Sequence, residues 1–183
     1  MDSLIIFIDF EDGDGDIGLN RDETQSPYNE RNVIRDVNGD IIYFRATREV
    51  DTLPDFNTFD WWVVRDQSNN NRIIDTILAK PNINHYNLFV DFYKVVNQDT
   101  VLFDIQRELG GPNYNFRIPR LFDDLSNDRA LVGTIRYAMA SYAWQQAFSL
   151  DTIQMKIQIQ DRSLNRSNSI LTPKFMLKDI TVR

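Results

Sequence analysis

The chain has no cysteine and a single histidine, His85. The first absence excludes disulfides, thiolate metal sites and cysteine nucleophiles, and leaves the redox compartment open. The second leaves too little imidazole for a zinc site, and no nucleophile motif accompanies His85 to argue for Ser-His-Asp chemistry. His85 therefore reads as a partly buried side chain at the start of a predicted strand. No apolar run approaches the roughly 18 residues that a spanning helix needs. Met1-Asp2-Ser3 also lacks the basic start of a signal peptide, and the chain opens almost directly into a strand. It reads as trimmed of a natural leader or lipid anchor.

Positive charge is scarce where negative charge is dense. Residues 1–66 hold 16 Asp and Glu against 6 Lys and Arg, and the remainder holds 11 against 14, for a net charge of −7 over the chain. An acidic N-terminal third repels phosphate backbones, and no basic cluster with interleaved aromatics compensates elsewhere, which argues against a nucleic-acid partner. Hydrophobic content of 42% and charged content of 26% are ordinary for a folded chain.

What is abundant is alternation with period two. In Ile153-Gln154-Met155-Lys156-Ile157-Gln158-Ile159-Gln160 every second side chain is apolar, which a half-buried strand sorts onto one face. Leu88, Val90 and Phe92 repeat the pattern, as do Val101, Phe103 and Ile105, on either side of the polar turn Asn97-Gln98-Asp99. Further strands are predicted at 4–10, 41–48, 59–65, 114–121, 131–141 and 174–182. The alanines of 131–141 also suit a helix. Residues 20–40 and 66–84 are polar, lack a sustained period and read as long loops. No composition shift or repeat divides the chain. The expectation is one all-β domain over 1–183, a β-sandwich of about eight or nine strands with long loops.

The densest chemistry lies at Glu11-Asp12-Gly13-Asp14-Gly15-Asp16-Ile17-Gly18, four carboxylates within six residues following the apolar run Leu4–Phe10. Alternating glycines let the backbone turn sharply enough for the carboxylates to converge. Counting Asp12 as position 1 puts Asp14, Asp16, Gly18, Asn20 and Glu23 at positions 3, 5, 7, 9 and 12, the ligand positions of an EF-hand loop. Ile17 occupies position 6, where an EF-hand has glycine, and a strand stands where its first helix would be. The spacing therefore describes a Ca²⁺ loop mounted on a sheet. The alternative is a strand-end turn in which Asp side chains cap backbone N–H groups.

Trp61 and Trp62 are adjacent on a predicted strand, so one ring faces inward and the other outward. With Trp144, Tyr114 and Tyr142 they offer an aromatic platform for stacking sugars, or else they fill and edge a core. The acids Asp123, Asp124 and Asp128 lie in a predicted loop, where solvated turn residues are the simpler reading than a glycosidase carboxylate pair.

The segment from Asp151 to Asn168 resembles the penultimate strand and following turn of bacterial immunoglobulin-like domains. There a hydrophobic strand ends in Asp, followed by a small turn and Ser; here Asp161-Arg162-Ser163-Leu164-Asn165 fills that place, with Leu164 where the family has glycine. Together with Asp12-Gly-Asp-Gly-Asp-Ile-Gly18, the chain is similar to a family of cell-envelope proteins of Bacteroidetes, often lipoproteins. The resemblance rests on residues 4–19 and 151–172, and implies an immunoglobulin-like sandwich at the extracellular or outer-membrane surface, with no activity attached. The expected role is a non-catalytic module, structural or ligand-binding, whose partner is a protein or glycan at the cell surface; the alternative is a carbohydrate-binding module. Strict strand alternation, with 4–10 first and 153–160 penultimate, places the acidic loop beside Trp144, Gln145 and Asp151. It places the turn 161–168 at the opposite end, and makes Asp151 an additional candidate ligand.

Overall fold

The computed structural model describes residues 3–44, 53–110, 113–121, 130–140 and 144–181, with the Trp144 side chain outside the described part. The fold is all-β, and the chain groups into two compact units, residues 1–21 with 86–183, and residues 22–85. No helix among the described residues is long and apolar enough to cross a membrane.

The larger unit is a two-layer sandwich. One layer pairs β1 (Ser3–Asp12) with β7 (Leu131–Ala140), antiparallel and in unbroken register from Ser3 opposite Ala140 to Asp12 opposite Leu131. The run Leu4–Phe10 is apolar except for Asp9, yet only its even positions face inward. Leu4 and Ile8 are buried and Ile6 and Phe10 partly so, while Ile5 and Phe7 face solvent. Opposite them on β7, Tyr137 and Met139 point into the same core. The strand tendency of Val132, Thr134 and Ile135 prevails over the helix tendency of the alanines because every second residue buries against the other layer.

That other layer runs in the order β6 (Asp99–Phe103), β5 (Leu88–Val96), β8 (Ile153–Ile159), β9 (Ile170–Leu171). Ile153, Met155, Ile157 and Ile159 all point inward and are almost fully buried. The alternate residues serve the outer face. Gln154 and Gln158 donate to the carbonyls of Thr172 and Ser167 at 2.8 and 2.7 Å, and Lys156 pairs with Asp91 at 2.7 Å. The β5–β6 hairpin closes through Asn97 and Gln98, both left-handed (φ 51° and 74°), as two-residue hairpins require. Helix α1 (Ile105–Leu109) follows β6, N-capped by the Asp104 carboxylate and ended by left-handed Gly110. Beyond the short helix α2 (Trp144–Ala147), Phe148 is fully buried and stacks on Phe92.

Two predicted strands of this unit do not form as ladders. Within 114–121 a single bridge joins Phe116 to Leu88. Asn87 replaces the rest of a strand there, since its side chain donates to the Ile118 carbonyl (3.0 Å) and accepts from the Ile118 N–H (2.6 Å). Within 174–182 one bridge, Phe175 to Ile153, precedes a 3-10 turn at Leu177–Asp179. Pro173, which has no N–H to donate, interrupts pairing along β8.

The smaller unit carries a three-stranded sheet in the order β2 (Arg31–Val33), β4 (Arg72–Pro81), β3 (Trp61–Asp66). Strand β4 fills most of the span 66–84 that reads as loop in the sequence. Its period is hidden because Ile73-Ile74 and Ile77-Leu78-Ala79 are apolar runs, and because the register shifts between Val64 and Arg65. The β3–β4 turn uses Asn70 and Asn71 in left-handed conformation, which Asn tolerates better than most residues. Of the predicted strand 41–48, Tyr43 bridges to Ile77, and residues 45–48 lie outside the described part. His85 sits on a 3-10 turn (Ile83–His85), with Nδ1 3.0 Å from the Tyr28 carbonyl.

Candidate metal centre

Strand β1 delivers Asp12 as its last residue, and the chain then folds back on that side chain. The Ile17 N–H donates to Asp12 Oδ2 at 2.9 Å. Gly15 takes a left-handed conformation (φ 72°), which closes the turn and brings the neighbouring aspartates inward. Asp12, Asp14 and Asp16 each present a carboxylate oxygen, and the three oxygens lie within 4.8 Å of one another. They are the only such group of three among the described residues.

The far side of the loop is fixed by packing. Ile17 is buried in the sandwich core, and Leu19 is buried beside it in the chain. Ile17 at the position where an EF-hand has glycine thus anchors the loop in the core. Gly18, at φ 110°, lies so close to the neighbouring segment that a Cβ would stand 2.6 Å from the Arg120 Cα and 2.7 Å from the Pro119 carbonyl oxygen. The Leu19 N–H donates to the Ile118 carbonyl (2.8 Å), and Arg117 donates to the Asn20 carbonyl (2.7 Å). Gly18 and Asn20 thus run along residues 117–120, while Glu23 falls in the other compact unit, residues 22–85.

The carboxylates are electrostatically unequal. Burial pushes the Asp12 carboxyl above its ordinary value, the Ile17 N–H pulls it partly back, and Asp14 and Asp16 push it up again. Asp16 Oδ2 accepts from the Ser163 N–H at 3.1 Å and the Ser163 hydroxyl at 2.9 Å. Its other oxygen, Oδ1, is buried and has no hydrogen-bond partner among the described residues. Three converging carboxylates are the hard oxygen donors that Ca²⁺ or Mg²⁺ takes, and a buried carboxylate oxygen without a donor is costly unless a cation or water reaches it.

The acidic loop lies at the 161–168 end of the sandwich, which overturns the placement expected from strict alternation. A cavity of about 200 Å³ beside it is lined by Asp12, Ile17, Asp161, Asn165, Arg166 and others. Asp151 instead pairs with Lys94 at 2.7 Å. The alternation fails because 41–48 and 59–65 belong to the smaller unit and 114–121 forms no ladder strand. Counting only β1, β5, β6, β7 and β8 makes β1 and β8 run the same way, so the turn after β8 meets the loop after β1. In that turn Asp161 accepts from the N–H and side-chain amide of Asn165, at 2.7 and 2.9 Å. Leu164 adopts φ 67°, a conformation that favours glycine. Sequence reasoning missed Ser163 as the partner of Asp16. Residue type carried no signal for it, and only the parity of the sandwich strands did.

Of the aromatic residues read as a platform, the side chains of Trp61, Trp62 and Tyr114 are among those described. Trp61 is 2% exposed, donates to the Pro54 carbonyl and packs edge-on against Phe44. Trp62 is 39% exposed on the opposite face of β3, where Ile77 separates it from Tyr43, and the Trp144 side chain lies outside the described part. Tyr114 is buried, and Tyr142, Asp123, Asp124 and Asp128 lie outside the described residues.

No protein-family model matches the chain, and no curated protein or solved structure does either.

Proposed function

We propose that Asp12, Asp14 and Asp16 form a calcium site that stabilises one end of a non-catalytic, immunoglobulin-like module working at the extracellular face of a cell envelope. The observation that carries the calcium reading is the buried Asp16 Oδ1, which has no hydrogen-bond partner among the described residues, in a group of three converging carboxylates. A cation there relieves the repulsion among the three charges and occupies the unmet oxygen. It also draws the β1 loop against the turn after β8 through Asp16 and Ser163. A structural rather than catalytic role fits carboxylates already committed to the Ile17 and Ser163 donors. The module would present its surface to a protein or glycan partner.

The test is thermal unfolding with millimolar calcium and with chelator, since extracellular calcium modules bind at roughly 10⁻⁴ to 10⁻³ M. Binding the folded state alone contributes about 2.7 kcal/mol at a hundredfold excess over Kd. The melting temperature should rise in calcium, and the gain should vanish in Asp14→Ala. Superimposable curves in calcium and chelator would remove the cation from the account.

A further inference from the structure

We draw no further inference here: the strongest candidate, the exposed pair Tyr43 and Trp62 flanking Ile77 on one face of the three-stranded sheet, carries nothing because no feature of the structure shows what covers that face.

Discussion

Asp16 and Ser163 stand 147 positions apart in the chain and are joined by two hydrogen bonds to one carboxylate oxygen, at 3.1 Å from the backbone N–H and 2.9 Å from the hydroxyl. The contact ties the loop after the first strand to the turn after β8, and Asp16 Oδ1 is buried without a donor among the described residues. One oxygen holds the tether and the other has no donor among the described residues. Ser163→Ala keeps the backbone donor and removes the hydroxyl. The expected loss is about 0.5–1.5 kcal/mol in denaturant unfolding, of similar size with and without calcium. A loss confined to the calcium-loaded protein would make the hydroxyl part of the cation site instead.

Asp12 sets a pH dependence whose sign follows from its raised pKa. In the window between its ordinary value of 3.8 and the raised one, the folded state holds more protons than the unfolded state. This group's contribution therefore makes the calcium-free protein less stable as pH rises through that window. The penalty is fully present at neutral pH, and absent below the unfolded value. Asp12→Asn keeps an acceptor for the Ile17 N–H and removes the charge. Without calcium it should match or exceed the parent at pH 7, and the advantage should disappear as pH falls below 3.8. Paired denaturation curves across pH check this, and a variant less stable than the parent at pH 7 in chelator would contradict the burial argument.

Protons and calcium compete for the same oxygens, so the apparent calcium affinity should fall as pH drops toward the ordinary carboxylate range. Titration at several pH values reads this directly. An affinity that does not change with pH would point to carbonyl rather than carboxylate ligands.

Gly18 is held by close approach as well as by conformation. Gly18→Ala forces a Cβ against the Arg120 backbone at φ 110°, whereas Gly39→Ala, at φ 87°, meets open space. The second should cost about 1–2 kcal/mol from conformation alone, and the first roughly 1–3 kcal/mol more from overpacking. Equal losses in chemical denaturation would mean that the 117–120 segment yields to the loop.

Legibility in the sequence varies with how strictly one face is buried. Ile153, Met155, Ile157 and Ile159 face the core while Gln154 and Gln158 bind carbonyls at the sheet edge, so alternation is complete and β8 is read correctly. Strand β4 escapes notice because a register shift at Val64/Arg65 and consecutive apolar residues erase the period. The converging aspartates follow from Gly-Asp alternation alone. Their neighbour does not, because it depends on which strands share a sandwich. Residues 22–85 form their own unit, and nothing in composition marks where the chain leaves the sandwich after Arg21 or returns at Tyr86.

The calcium reading is tested most directly by isothermal titration calorimetry of the chelator-stripped chain with calcium at pH 7. The account predicts saturable binding of one ion, abolished in Asp16→Ala and retained in Asp151→Ala, whose carboxylate is engaged with Lys94. No saturable binding, or binding that survives Asp16→Ala, would contradict it.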